Sequence, residues 1–166
     1  MKKISPLQID GNIIEMISRQ WMLITAGDEH NFNTMTASWG AMGELWNRHV
    51  AIVFIRPQRH TLGFVERNSL FTLSFFDERY RAALNICGSR SGRDGDKVRD
   101  AHLTPCATEG GSVTFNEASM VIECRKLYAD SLAESNFIDS SIVGAIYPER
   151  DLHRFFVGEI TGVWVR

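Results

Sequence analysis

Two loops of this chain combine cations with hydroxyl groups in a pattern that suits an anionic group. The first, residues 56–61 (Arg-Pro-Gln-Arg-His-Thr), follows an apolar run and enters a predicted helix. The unpaired N–H groups at a helix N-terminus favour an anion, and a nearby arginine can bind a phosphate with two hydrogen bonds. The second, residues 87–97, contains Gly-Ser-Arg-Ser-Gly, whose N–H groups and hydroxyls can surround a phosphate. Taken alone, each loop is also typical of an ordinary solvated connection.

A third segment, residues 31–40, offers a surface with little side-chain bulk. Its predicted strand, residues 33–39, is rich in Thr, Ala and Ser and is followed by Gly40. A flat ring could therefore approach the backbone N–H groups and hydroxyls, and Trp39 adds a large amphipathic side chain. An ordinary edge strand would have the same composition. The three segments together suit one ligand with a ring at one end and a phosphate at the other, which are the features of a flavin nucleotide.

Several common catalytic and nucleotide-binding motifs are missing. The sequence contains no Gly-x-Gly-x-x-Gly, no Gly-x-x-x-x-Gly-Lys-Ser/Thr, no His-Glu-x-x-His and no Gly-x-Ser-x-Gly, which disfavours Rossmann, P-loop and common hydrolase sites. The five histidines have no metal-ligand spacing, and Cys87, Cys106 and Cys124 never form a Cys-x-x-Cys pair. We therefore expect no metal site and no disulfide framework, with Cys87 and Cys124 as small core residues.

Composition restricts the class of protein further. The 166 residues, of which 44% are hydrophobic, fit one domain over residues 1–166. The net charge of −2 does not indicate a nucleic-acid partner or a membrane surface. No apolar run follows Lys2 and Lys3, and no stretch approaches the ~18 apolar residues of a spanning helix. We expect a cytoplasmic protein without a nucleic-acid or membrane partner.

The hydrophobic patterns predict more strands than helices. A short helix is expected over residues 12–18, a second after Thr61 as its cap, and a third after Asp77, with Tyr80, Ala83, Leu84 and Cys87 at helical spacing. Helical turns are expected near residues 137–143 and 148–151. Strands are predicted over residues 21–25, 33–39, 50–55, 70–75, 112–115, 118–129 and 153–166. Residues 50–55 indicate a strand buried on both faces. These short helices between strands favour a mainly β, antiparallel barrel of the α+β type.

Several of these segments, in order along the chain, resemble the flavin reductase-like proteins with the FMN-binding split-barrel fold, a family that includes flavoredoxin. The similarity runs through Trp46 and residues 21–27, 33–40, 54–61, 71–76, 89–97 and 158–160. The resemblance implies an antiparallel split β-barrel with short peripheral helices. It also implies a homodimer that holds FMN near the subunit interface and transfers hydride to it from NADH or NADPH.

The resemblance also implies which residues bind the flavin. The strand that would contact the isoalloxazine ring supplies Thr34, Met35, Thr36, Ala37, Ser38 and Trp39. The phosphate and ribityl chain would be bound by residues of the two loops, namely Arg56, Arg59, Thr61, Ser89, Arg90, Ser91 and Lys97.

The chain departs from the usual family pattern at three positions, where His49, His60 and Gly95 replace Pro, Tyr and Val. His153, at the start of the last predicted strand, is a weak catalytic candidate because an imidazole there could lie near the open face of the flavin. Two other interpretations stay open: an FMN-binding electron-transfer module without significant NAD(P)H activity, and a fold that binds another phosphate-bearing cofactor or none.

Overall fold

Antiparallel strands make up most of the regular structure of the computed structural model, which describes residues 1–166. The strands are β1 (Lys2–Ile4), β2 (Met22–Asp28), β3 (Asn31–Ala37), β4 (Gly40–Leu45), β5 (Arg48–Ile55), β6 (Leu70–Phe75), β7 (Pro105–Ala107), β8 (Val113–Phe115), β9 (Met120–Ser131) and β10 (Arg154–Val165). The helices are α1 (Ile13–Glu15, continued by a π-helical turn over Met16–Gln20), α2 (His60–Arg67), α3 (Arg81–Ser89), α4 (Lys97–Asp100) and α5 (Ser141–Ile146). Short 3₁₀ turns occupy Pro6–Gln8, Glu78–Tyr80 and Glu134–Asn136.

One large sheet contains eight of the ten strands. Its order is β3-β2-β6-β9-β10-β5-β4, and every pairing is antiparallel. The long strand β10 pairs with β9 along its length, with β5 through Arg154–Glu159, and with β1 through its last three residues. Strands β7 and β8 form a separate two-stranded ladder. The predicted antiparallel β architecture is therefore confirmed.

The two edges of this sheet meet at one point, which we call the seam. Strands β3 and β4 lie at opposite ends of the strand order, yet only Ser38 and Trp39 connect them. Three peptide steps of 3.8 Å span at most about 11 Å. The sheet must therefore curl until its two edges are close, which closes the barrel at this end.

Two apolar layers hold the barrel in shape. Twenty buried residues, including Val53, Leu73, Ile122 and Phe156, form the main cluster. A second cluster of ten packs α3 and β8 against Leu23 of β2 and Val121 of β9. Because strands β2 and β6 are covered on both sides, their burial is continuous rather than alternating. Because the second cluster holds α3 in place, it also fixes the position of the loop that follows α3, residues 88–97.

Most predicted strands are present with shifted ends, while several details were wrong. The turn over residues 148–151 contains no helix, and the helix expected near residues 137–143 lies at Ser141–Ile146. Strand β5 is fully buried on one face only, because Ile52 and Phe54 are partly exposed. Strand β4 was missed, since its Gly-Ala-Met-Gly-Glu-Leu sequence has low β propensity. Cys87 and Cys124 are buried, as predicted.

The helices are short, and the longest, α3, has nine residues. None of them combines the length and the apolar character that a membrane span requires.

We predict that Gly158 is required for the packing of β10 on β9. An added Cβ would lie 2.6 Å from Phe71 Cζ and 2.8 Å from the Cβ of Cys124, both in the core. Gly158→Ala should lower the free energy of unfolding by about 1–3 kcal/mol, as overpacking does, which urea denaturation measures. The matched control is Gly43→Ala on β4, where an added Cβ meets nothing within 4 Å. Equal stability of the two variants would contradict this packing argument.

Candidate functional site

A cavity of about 290 Å³ lies at the seam, and we call it the seam cavity. The end of β3, the end of β5, the last turn of α3 and the residue before β10 each contribute to its wall. Its lining residues are Met35, Thr36, Ala37, Ser38, Trp39, Phe54, Arg56, Arg59, Gly88 and His153. Seven of the thirteen predicted cofactor-binding residues are thus brought together, and His153 lies with them.

Arg56 is already neutralised within the protein. Its Nη1 lies 2.5 Å from Asp151 Oδ2, and its Nη2 donates to the carbonyl of Ile146 at 2.9 Å. Its guanidinium also lies 5.2 Å from the ring centre of Tyr147. Gln58 donates to the same carboxylate oxygen of Asp151 at 2.7 Å. Arg56 therefore anchors the segment of residues 146–151 to the end of β5.

Arg59 is the cation of the seam cavity that has no carboxylate partner. Its Nη1 donates to the carbonyl of Gly88 at 2.8 Å, which ties the start of α2 to the end of α3. Burial lowers the pKa of its guanidinium, because a charge that is partly removed from water and not paired is disfavoured. An anion beside Arg59 would supply the missing countercharge.

The N-terminus of α2 stands next to Arg59 and carries no side-chain cap. Thr61, which we expected as the cap, lies inside the helix, where its hydroxyl accepts a hydrogen bond from Asn33 Nδ2 at 2.9 Å. The pKa of His60 is lowered by partial burial and then by the charges of Arg93, Lys97 and Arg67. The first turn of α2 is therefore an electropositive region with unpaired N–H groups.

The loop over residues 88–97 directs its polar groups at itself and at the helices on either side of it, α3 and α4. Ser89 donates to Asn85 O at 2.8 Å, and Ser91 Oγ accepts from the N–H of Arg93 at 3.2 Å. Arg90 pairs with Asp100 at 2.7 Å. The family resemblance assigns Ser89, Arg90 and Ser91 to the ligand, whereas in this structure their side chains bind groups of the protein.

Lys97 is buried and bridges the two ends of the same loop. Its Nζ donates to the carbonyls of Cys87 at 3.3 Å and Arg90 at 3.2 Å. Desolvation lowers the pKa of Lys97 to about 8, with a smaller contribution from Arg59. Lys97 thus holds the shape of the loop and is outside the wall of the seam cavity.

Thr34 also lies away from the cavity. It is fully buried, and its hydroxyl is 2.8 Å from that of Thr25 on β2. Thr36 lies two residues later on the same face of β3. Its hydroxyl donates to the carbonyl of Leu84 on α3, and Thr36 is part of the wall of the seam cavity. In this structure the side chain of Thr34 connects β3 to β2 and does not line the seam cavity.

Aromatic rings form the other end of the seam cavity. The ring of His153 lies 5.0 Å from that of Trp39 and 6.5 Å from that of Phe54. Its Nδ1 is 2.8 Å from the hydroxyl of Tyr147. Burial, followed by the charge of Arg56, lowers the pKa of His153 to about 4, so the imidazole is neutral at neutral pH. Sequence reasoning missed Tyr147 and also missed Phe54, because residues 50–55 were predicted to be buried on both faces.

A second cavity of about 600 Å³ adjoins the first, and we call it the apolar cavity. It shares Ser38, Trp39 and Phe54 with the seam cavity. Its remaining lining residues are Ile13, Ile14, Ile17, Ser18, Gly40, Ala41, Met42, Leu132 and Tyr147. A larger cavity of about 770 Å³, near Cys106 and Arg166, contains none of the predicted site residues. We therefore choose the seam cavity as the candidate site because of the residues that line it and not because of its volume.

Solved structures with the same fold include the FMN-binding protein from Thermus thermophilus with bound 1-cyclohex-2-enone. It is 21% identical to this chain, with a TM-score of 0.69, and the alignment covers 99% of this chain and 80% of that one. The flavoredoxin of Desulfovibrio vulgaris (Miyazaki F) is 22% identical, with a TM-score of 0.68 and coverage of 88% and 69%. An FMN-binding domain of a flavin reductases-like enzyme from Shewanella baltica OS155 is 14% identical, with a TM-score of 0.71 and coverage of 99% and 76%.

A search of curated protein sequences finds no match. The family comparison is decisive, because residues 15–166 match the family described as the flavin reductase like domain. The split-barrel topology at the seam agrees with the folds of the structural neighbours. The chain therefore belongs to the flavin reductase like domain family.

Proposed function

We propose that this protein, a single domain over residues 1–166, binds FMN in the seam cavity and transfers hydride from NADH or NADPH to it. The observation that carries the proposal is the position of Arg59. It is a partly buried cation without a carboxylate partner, and it stands beside the uncapped N-terminus of α2. That combination recognises a phosphate group, at one end of a cavity whose other end is aromatic.

The residues present fit such a nucleotide. The wall between the two ends is formed by the short side chains of Ala37 and Ser38 and by Gly88. A Cβ on Gly88 would approach the Cβ of Thr36 to 3.2 Å, so α3 packs close to β3 at this point. Small residues on both sides let a flat ring reach the backbone. Bound FMN would supply reversible two-electron chemistry at this position.

The chain's own groups divide the remaining work. Arg59 and the first N–H groups of α2 would bind the phosphate. Lys97 and the Arg90–Asp100 pair keep the loop of residues 88–97 in shape. His153, held by Tyr147, presents an uncharged imidazole to the ring end. A neutral group there orients the ring by hydrogen bonding without adding a charge.

A homodimer would complete the site. Trp39, Trp46 and Tyr128 are each exposed by 44% or more, and Trp46 contacts Tyr128 with ring centres 6.2 Å apart. Trp46 and Asn47 both have a φ of 55°, as the two central residues of a tight hairpin turn require, so Trp46 lies at the tip of the β4–β5 hairpin. Exposed aromatic side chains of this kind mark interfaces, and this face borders the seam cavity through Trp39.

The second candidate function is an FMN-binding electron-transfer module without significant NAD(P)H activity. The observation in its favour is the apolar cavity, which adjoins the seam but has no charged lining residue for the diphosphate of a dinucleotide. The two candidates share the FMN site and differ only in the electron donor.

We expect the purified protein to keep a flavin absorption spectrum after it is mixed with FMN and the excess is removed. Under anaerobic conditions, NADH or NADPH should then bleach the visible absorption of the bound flavin. Retained flavin that dithionite bleaches but neither nucleotide does would favour the electron-transfer module. Absence of any retained flavin would overturn the proposed tight binding of FMN.

Arg59→Ala should weaken FMN binding by roughly tenfold to a hundredfold, because one charge-assisted hydrogen bond contributes about 1.5–3 kcal/mol. The control is Arg79→Ala, which removes the same charge from the turn Glu78–Tyr80, outside the wall of the seam cavity. Fluorescence titration of FMN measures both dissociation constants. Equal affinities of the two variants would remove the phosphate assignment.

His153 should make the stability of the fold depend on pH. Its pKa is about 4 in the folded protein and near 6.5 when unfolded, so the unfolded state binds more protons between these values. The contribution of His153 to the free energy of unfolding is complete above pH ~6.5. The free energy of unfolding should therefore fall by up to about 2 kcal/mol on going to pH ~5. Urea denaturation should show this loss in the natural protein and a smaller one in His153→Gln, since only the shared carboxylates and other histidines then titrate. Identical pH profiles would show that His153 is not held neutral by the fold.

A further inference from the structure

We propose that a cationic surface at the start of α2 binds the 2′-phosphate of NADPH, so that the protein takes NADPH in preference to NADH. The inference rests on the proposed function, in which Arg59 holds the flavin phosphate and a nicotinamide nucleotide supplies the hydride. The surface consists of His60 and Arg67 on α2 and of Arg93 in the loop of residues 88–97. We call these three residues the cationic patch.

Two residues of the patch share one face of α2. His60, Gly63 and Arg67 are spaced by three and four residues, so they follow one another along the helix surface. The guanidinium of Arg67 lies 4.8 Å from the ring centre of Phe64, and a Cβ on Gly63 would lie 3.1 Å from Arg67 Nη1. The side chain of Arg67 therefore turns back toward the N-terminus of α2, as helical side chains do, and carries its charge toward His60.

The loop of residues 88–97 brings Arg93 to the same end of α2. Arg93 Nη1 donates to the carbonyl of Gln58 at 3.3 Å, two residues before the helix begins. Arg59, the residue after Gln58, lines the seam cavity and is half-buried, whereas Arg93 is exposed. The positive charge therefore extends from the wall of the cavity to the surface of the protein.

No carboxylate neutralises the patch. Neither Arg67 nor Arg93 belongs to any ion pair of the protein, although the chain carries 20 acidic residues and a net charge of −2. The side chain of Glu66, next to Arg67, pairs instead with Arg154 at 3.1 Å. Like charges that are held near one another without a counterion repel, and an anion between them removes that cost.

The electrostatics at His60 agree with this arrangement. Partial burial lowers its pKa, the charges of Arg93, Lys97 and Arg67 lower it further, and no acidic group opposes them. The imidazole is therefore mainly uncharged at neutral pH and keeps an N–H group as a hydrogen-bond donor. Its ring is held edge to face against Phe64, with the ring centres 5.2 Å apart. The patch thus combines two unpaired guanidinium groups with one neutral donor.

A phosphate monoester is the anion that suits the patch best. It carries a charge of about −1.5 to −2 at neutral pH and three terminal oxygens, so it can balance two guanidinium groups and accept a hydrogen bond from an imidazole. A carboxylate would balance only one of the two arginines. The 2′-phosphate that distinguishes NADPH from NADH is such a monoester. The second phosphate of flavin adenine dinucleotide is a diester, and that flavin carries no more charge than FMN does.

The position of the patch suits the far end of the dinucleotide. Hydride transfer requires the nicotinamide to lie against the flavin ring, at the aromatic end of the seam cavity near Trp39 and His153. The adenosine of NADPH must then lie outside the cavity, and the patch stands there beside Arg59. Its residues lie apart from Trp46 and Tyr128, on the face that we assign to the homodimer, and none of them lines the apolar cavity.

The test compares NADP⁺ and NAD⁺, which differ only in the 2′-phosphate, by isothermal titration calorimetry on the FMN-loaded protein. NADP⁺ should bind at least about tenfold more tightly. The double variant Arg67→Ala, Arg93→Ala should remove this preference by weakening the binding of NADP⁺ alone. It should change the affinity for FMN by less than about threefold, since exposed charges are screened by salt. Both side chains are exposed, so the double variant keeps the core intact.

The matched control is Arg79→Ala, which removes an exposed arginine from the turn Glu78–Tyr80 and should leave the preference for NADP⁺ unchanged. Equal affinity for NADP⁺ and NAD⁺ would reject the inference, and so would a preference that persists in the double variant. A double variant that weakens FMN binding as much as Arg59→Ala would also reject it, because the patch would then serve the flavin phosphate.

FMN retention is measured on the same samples, which separates this inference from the proposed function. Retained FMN with equal affinity for the two nucleotides rejects this inference alone. Retained FMN with no binding of either nucleotide rejects it together with the hydride transfer, in favour of the electron-transfer module. If no FMN is retained, the nucleotides are titrated on the flavin-free protein. A preference for NADP⁺ that the double variant loses then supports the patch and rejects the proposed function, whereas no preference rejects both.

Discussion

The two-residue connection between the opposite edges of the sheet is the constraint on which the rest of this structure depends. Ser38 and Trp39 can join β3 to β4 only if the barrel curls until both edges are adjacent. Both cavities lie at this closure, and Trp39 borders each of them. A fold that must bring two strand edges together leaves a gap lined by strand ends, where backbone groups and short side chains are accessible. The site is thus a consequence of how the barrel closes.

A second theme is the distribution of positive charge around the seam. Arg56, Arg90 and Lys97 are used inside the protein, on Asp151, on Asp100 and on loop carbonyls. A long cationic side chain loses conformational freedom when it binds a partner. For Arg56, Arg90 and Lys97 this loss occurs on folding, and their charge-assisted hydrogen bonds stabilise the loops that carry them. Arg59 alone in the wall of the seam cavity has no acidic partner. Contacts within the protein thus hold these loops without a ligand, and one cation is left to recognise it.

The opposite end of the site depends on neutrality. His153 is enclosed by aromatic rings and by the paired Arg56, an environment that disfavours a second positive charge. Its hydrogen bond to Tyr147 fixes the orientation of the imidazole. The site therefore has a cationic part at Arg59 and an uncharged aromatic part at His153, and the apolar cavity extends the second of these.

Sequence alone determined the antiparallel β class, most of the strands and the three segments that meet at the seam, because alternation, turn residues and small side chains are local properties. It also identified Arg59 and His153 as residues of interest. Only the tertiary structure decided which polar groups face the cavity. Thr34, Thr61 and Lys97 have suitable chemistry for a ligand, yet each is satisfied by a partner that is distant in sequence or across a loop. Local sequence records what a side chain can bind, whereas packing decides what lies within its reach.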